Sequence, residues 1–232
     1  MSERWDEISV DGSAMRCFVA LPEGGSTHPG VIVCMHAYGL DGFIREICRR
    51  LATHGIAALA PDVYHRQGDA IENPMERMGL IRDDSALRDL NAATALLRGL
   101  PEVDAARCGV IGFCMGGRLA WLHATDDAEL RAAVTLHGGN IMVPWGDHPT
   151  PFERSDRIAC AVLGLFGADD PNPSPADEAK LDTELQRLGV VHEFVSYAGA
   201  GHAFLNERGA NYHEEAAKDA WARCCDWLDK YL

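Results

Sequence analysis

Long apolar runs are missing from this sequence: none approaches the roughly 18 residues that would cross a bilayer as a helix. The opening residues, Met1-Ser2-Glu3-Arg4-Trp5-Asp6-Glu7, carry neither the basic nor the apolar stretch of a secretion signal, so a cytoplasmic protein without a membrane partner is expected. Positive charge is also scarce. Lys and Arg number 21 against 35 Asp and Glu, a formal net charge of −14, and a nucleic-acid binder needs the opposite excess. No two cysteines stand in C-x-x-C spacing and no histidines pair at ligand spacing on one face, so no metal or redox site is expected. Repeats, low-complexity tracts and linkers are absent too, which points to one domain spanning residues 1–232.

What is present has ordinary globular proportions. Hydrophobic residues make up 47% and charged residues 24%, and the length allows one substantial core. The eight cysteines, Cys17, Cys34, Cys48, Cys108, Cys114, Cys160, Cys224 and Cys225, are scattered and lie mostly in apolar stretches. In a reducing compartment most of them read as small buried hydrophobes. Cys114 alone has a context that asks for more.

Short continuous apolar runs alternate with longer amphipathic ones, the sign of a mostly parallel sheet covered by helices, an α/β fold. Asp11-Gly12 predicts a two-residue hairpin between Trp5–Val10 and Ala14–Leu21. Buried strands are expected over Gly30–His36, Ile56–Ala60, Cys108–Phe113, Ala132–Leu136, Ala161–Phe166 and His192–Tyr197, making about eight in all. Helical spacing is seen over Asp41–Thr53, Asp84–Arg98 and Gly116–Ala124, from Ser174 to Gly189, and from Tyr212 to Tyr231. Two stretches, Tyr64–Arg82 and Asn140–Ser155, read as long irregular segments, either pocket walls or surface excursions.

The strongest local signal is Gly112-Phe113-Cys114-Met115-Gly116-Gly117, placed between an apolar strand and a helix. This is the G-x-nucleophile-x-G elbow, whose glycines allow a turn too tight for Cβ atoms. Such a turn holds Cys114 over the carboxyl edge of the sheet, with a helix N-terminus beneath to favour thiolate. A nucleophile of this kind needs a base, and the base an orienting acid. Both follow in order: Gly167-Ala168-Asp169-Asp170 after one strand, and Gly199-Ala200-Gly201-His202 after the next. Asp170 is the preferred partner of His202, with Asp169 as the alternative. The Met115 N–H and the Ala37 N–H are the expected oxyanion donors, with the Tyr38 N–H as the alternative to Ala37. His36, Tyr38, Tyr64, Arg66, Phe113 and Phe204 are candidate walls of the site, and His36 reads equally well as a structural residue.

With these residues in place, the chain resembles the dienelactone hydrolase (carboxymethylenebutenolidase) family. The resemblance runs through GVIVCMHAYGLDGFIREICRRLATHGIAALAPDVYHRQG, GVIGFCMGGRLA, LFGADDPNPSP and YAGAGHAFLN to YHEEAAKDAWARCCDWL, nearly the whole chain. It implies an α/β-hydrolase fold without a large cap domain, no cofactor, and a Cys-His-Asp triad falling on Cys114, His202 and Asp170. It also implies a small ester or lactone substrate, cleaved through a thioacyl intermediate. Two positions depart from the family pattern. His36 stands where studied members carry a glutamate, and Asn206 stands where they carry an arginine for the substrate carboxylate, with Arg208 nearby. Arg45, Arg66, Arg82 and Arg118 are other possible contacts for such a carboxylate. Two alternatives stay open: hydrolysis of another acyl substrate such as a thioester, and a non-hydrolytic binding or thiol-sensing role. Oligomeric state is not legible in the pattern.

Overall fold

The first hairpin closes on two residues in the left-handed region, Asp11 at φ 51° and Gly12 at φ 77°. Its turn matches the twist of the strands it joins, β1 (Ser2–Val10) and β2 (Ser13–Leu21). This computed structural model describes residues 1–68 and 71–232. Six further strands follow: β3 (His28–Cys34), β4 (Ala57–Pro61), β5 (Val103–Phe113), β6 (Ala132–Leu136), β7 (Ala161–Gly167) and β8 (His192–Tyr197). They form one eight-stranded sheet in the order β1-β2-β4-β3-β5-β6-β7-β8. β2 runs antiparallel to β1 and β4, and β4 through β8 are parallel.

The helices are α1 (Gly42–His54), α2 (Pro74–Gly79), α3 (Asp83–Arg98), α4 (Met115–Ala124), α5 (Pro175–Leu188) and α6 (Glu214–Tyr231). Their ends follow local chemistry. Asp41 caps α1 by accepting the Phe43 and Ile44 N–H groups, and Gly55 ends it at φ 98°. Ser174 and Asp177 form a reciprocal capping box at the start of α5. The buried face of α1 is Ile44, Ile47, Cys48 and Leu51, and that of α3 includes Leu87, Leu90, Thr94 and Leu97, as their spacing predicts. Helix α2 falls in a stretch read from sequence as irregular. It is six residues long and buries none of them, so it lacks the periodic apolar face that would reveal it. Asp69 and Ala70 of that same stretch lie outside the described residues.

Strand order decides where helices lie. The β3–α1–β4 connection steps one way along the sheet, while β4–α3–β5, β5–α4–β6 and β7–α5–β8 step the other. Right-handed crossovers therefore put α1 on one face and α3, α4 and α5 on the opposite one. The α6 helix joins α1: the Arg50 guanidinium lies 4.0 Å from the Trp221 ring centre, and His54 meets Asp229 at 3.0 Å. On the other face α3 and α4 meet through Thr94 and His123, 2.8 Å apart. The same topology leaves a crevice beyond the carboxyl ends of β3 and β5, neighbours whose onward connections diverge, and open α/β sheets bind ligands at such a point. Among the described residues, no helix is long and apolar enough to cross a membrane.

Candidate active site

Cys114 sits at the carboxyl end of β5 with φ 56° and ψ −118°, a conformation that non-glycine residues rarely hold. The two neighbouring glycines are obligatory. A Cβ on Gly112 would strike the carbonyl of Gly116, and one on Gly116 would strike the carbonyl of Cys34. The strained backbone is held from below. The Cys114 N–H donates to Leu136 O and to His137 Nδ1, each at 3.0 Å, while the Cys114 carbonyl starts α4 by accepting Gly117 N–H at 2.9 Å. The side chain is half-buried, whereas the other seven cysteines are buried.

The acid and the base come from neighbouring loops. After β7 the chain turns through Gly167, whose carbonyl accepts the Asp170 N–H at 3.0 Å. Asp170 is buried, and its Oδ2 accepts from His202 Nδ1 at 2.7 Å while Oδ1 accepts the Asn172 N–H at 2.9 Å. Asp169 is exposed, and among the described residues it bonds only through its backbone N–H, to Ala200 O. His202 is held by its own loop as well, since Asn211 Nδ2 donates to the His202 carbonyl at 2.9 Å. Burial pulls the imidazole toward its neutral form, but the hydrogen bond to Asp170 and the influence of the Cys114 thiol outweigh this and raise its pKa to about 10. His202 is therefore under the influence of both a buried carboxylate and the Cys114 thiol.

The pairing of β3 with β5 sets Cys34 opposite Gly112, which brings the Ala37 loop beside the elbow. Among the described residues, neither the Ala37 nor the Met115 N–H donates to a protein acceptor. Tyr64, buried, touches both residues: its hydroxyl donates to Ala37 O at 2.9 Å and stands 3.4 Å from the Met115 side-chain sulfur. Burial pushes the Tyr64 phenol well up. His36 is nearly buried, and its Nε2 lies 3.0 Å from Asp41 Oδ1. The contact does not have hydrogen-bond geometry, and the same oxygen accepts two α1 N–H groups. Burial alone would raise the Asp41 carboxyl, yet His36 and those N–H groups hold it below the usual range. A carboxylate thus reaches the loop at position 36 from the α1 cap.

Other sequence candidates take different places. Tyr38 is exposed at 69% and stacks obliquely on His36, with ring centres 5.3 Å apart. Phe113 and Phe204 are fully buried and pack on His137, beneath the reacting groups rather than around them. Arg66 is not brought to Cys114. Its guanidinium grips Asp89 twice at 2.7 Å and Asp11 at 2.9 Å. Arg118 is also committed: buried, it pairs with Asp83, donates to the Asn140 and Val143 carbonyls, and lies 4.0 Å from the Trp145 ring centre. It therefore anchors the 140–145 segment and offers nothing to a substrate. Arg82 spends its guanidinium on the Gly79 and Ile81 carbonyls. Two clefts flank the site, about 580 Å³ beside Phe43, Asn206 and Arg208 and about 470 Å³ beside Tyr38 and Tyr64. Arg45 lines both, and neither has Cys114 or His202 in its wall.

His137 is the residue that sequence reasoning missed. One position beyond β6, it looks like any strand-end histidine, and only strand order puts it under Cys114 and His202.

The dienelactone hydrolase family model matches residues 15–232. The chain belongs to that family. Two curated relatives, each named "putative carboxymethylenebutenolidase", come from Methylorubrum extorquens and Salmonella typhimurium. They are 31% and 34% identical over 97% of this chain, covering 80% and 86% of their own lengths. Among solved structures, a "putative dienelactone hydrolase" from Klebsiella pneumoniae superimposes with a TM-score of 0.89 at 32% identity, each chain fully covered. A metagenomic dienelactone hydrolase-like promiscuous phosphotriesterase gives a TM-score of 0.86 at 27% identity, covering 99% of this chain and 98% of its own. Family membership makes this protein a hydrolase of ester or lactone type that acts on small molecules, and the observed sheet carries the α/β-hydrolase fold.

Proposed function

We propose that this member of the family cleaves a small ester or lactone with Cys114 as nucleophile, His202 as base and then acid, and Asp170 as the residue that orients His202. The observation that supports the reading is the 2.7 Å bond of His202 Nδ1 to buried Asp170, with His137 touching both the His202 ring and the Cys114 N–H of the strained elbow. The thiolate sulfur adds to the carbonyl carbon, and the Met115 and Ala37 N–H groups hold the oxygen that gains the electron pair. Collapse of this adduct breaks the carbon–oxygen bond, and His202 gives its proton to the departing alkoxide. Water then attacks the thioacyl carbon, His202 takes its proton, and the thiolate leaves. The whole chain, residues 1–232, acts as one catalytic domain in this reading.

The test is turnover of small aryl esters and lactones by wild type and Cys114→Ala. A loss of about 10³-fold or more in kcat is expected, in line with deletion of other catalytic nucleophiles. Undiminished turnover in Cys114→Ala would overturn the assignment. Mass detection of an acylated Cys114 after mixing with an activated ester separates hydrolysis from mere binding.

A further inference from the structure

His137 touches both of the groups that the proposed mechanism relies on, and the mechanism assigns it nothing. It is buried at 2% exposure, at φ 40°, with its own N–H donating to Leu165 O at 2.8 Å. Its Nδ1 accepts the Cys114 N–H at 3.0 Å, so the lone pair there faces the elbow and the ring proton of the neutral form sits on Nε2. Its ring stands edge-on to His202, with centres 4.9 Å apart and planes at 66°. Phe113 and Phe204 close the remaining sides, with ring centres 6.2 Å and 5.9 Å away.

We propose that His137 is a positioning residue that joins the nucleophile to its base: Nδ1 holds the strained Cys114 backbone by its N–H, while the ring fixes the plane in which His202 turns. The inference rests on the reading of Cys114 as nucleophile. That N–H is shared with Leu136 O, also at 3.0 Å, and the second acceptor matters because φ 56° at a non-glycine residue is costly and a side-chain partner adds to the backbone one in holding it. The acceptor must also stay unprotonated. Burial drives the His137 pKa well down, and the neighbouring His202 and His36 rings push the same way. A cationic His202 thus keeps its neighbour neutral, and Nδ1 keeps its lone pair during the cycle. The charged and titratable groups facing His137 are Cys114 from the elbow, His202 from the loop after β8, and His36 from the loop after β3.

Two variants separate the two contacts. His137→Phe keeps a ring but removes the acceptor; His137→Asn keeps an acceptor at the δ position but removes the ring. Cys114 alkylation by iodoacetamide, followed by peptide mass spectrometry across pH 5–9, reads the thiol without needing turnover. For His137→Phe, a drop of about tenfold or more in the alkylation rate at neutral pH is expected, with kcat down about 10- to 100-fold and KM nearly constant. For His137→Asn, the alkylation rate should recover to within about threefold of wild type while kcat stays reduced, because the ring's hold on His202 is gone. Wild-type alkylation and kcat in the Phe variant, or equal alkylation losses in both variants, would overturn the proposal. If His137→Phe fails to fold, the Asn variant decides alone: a tenfold alkylation loss there overturns it. Full turnover by Cys114→Ala would instead remove the reading beneath it, an outcome the Asn–Phe contrast cannot mimic.

Discussion

His202 Nδ1 stands 2.7 Å from Asp170 Oδ2, and Asp170 is buried while the adjacent Asp169 faces solvent. Asp170→Asn is therefore expected to lower kcat by about 10²- to 10⁴-fold, since the amide would favour the wrong imidazole tautomer. Asp169→Asn should stay within about twofold of wild type. Steady-state kinetics on one aryl ester compares the two, and equal losses would count against the pairing.

Partnership also gives His202 a pH signature. Its pKa is raised to about 10 in the folded protein, above the unfolded value, so the stabilisation is fully present below about pH 6.5 and is lost as pH rises through about 10. Urea unfolding from pH 6.5 to 10 should show wild type losing stability relative to His202→Gln over that window. A constant difference between them would contradict the shifted pKa.

Cys114 should be the only cysteine labelled quickly by iodoacetamide in the native protein. The other seven are buried, and desolvation pushes the Cys17 and Cys160 thiols up to about 12 and Cys225 to about 11. Intact-mass measurement should show one adduct early and eight only after denaturation. A second fast adduct on the native protein would refute this.

Tyr64→Phe removes the hydroxyl that joins the Ala37 carbonyl to Met115. Loosening the Ala37 peptide and the Met115 side chain beside it should cost about tenfold in kcat with little change in KM. The orphaned Ala37 carbonyl should add a stability loss of about 1–3 kcal/mol, measurable by denaturant titration.

Arg118 and Asp83 are a buried pair, with guanidinium and carboxylate both essentially sealed from solvent. Arg118→Leu strands the Asp83 charge and frees the Asn140 and Val143 carbonyls, so a loss of about 3–5 kcal/mol is expected. The Arg118→Leu, Asp83→Leu double variant should recover part of that loss, because no lone charge is then buried. Additive losses would show that the pair is not coupled.

Much of this protein is written locally in its chain. The Asp11-Gly12 hairpin, the Asp41 and Ser174 caps and the glycines around Cys114 each depend on a few consecutive residues, so sequence alone determined them. The run of strands, the apolar faces of α1 and α3, and the order of Cys114, Asp170 and His202 follow from periodicity and sequence order, and they too were legible. What tertiary structure decided are contacts between residues far apart in the chain. Whether Asp169 or Asp170 turned inward depended on how the loop after β7 met that after β8. Arg66 and Arg118 could have faced a substrate until Asp89 and Asp83 came within reach across 23 and 35 residues. His137 acquired its place only because β6 lies beside β5, which brings its Nδ1 under the Cys114 N–H. Local patterns encode torsions and faces, while such pairings exist only once the strands have taken their order, and no short window of sequence contains that order.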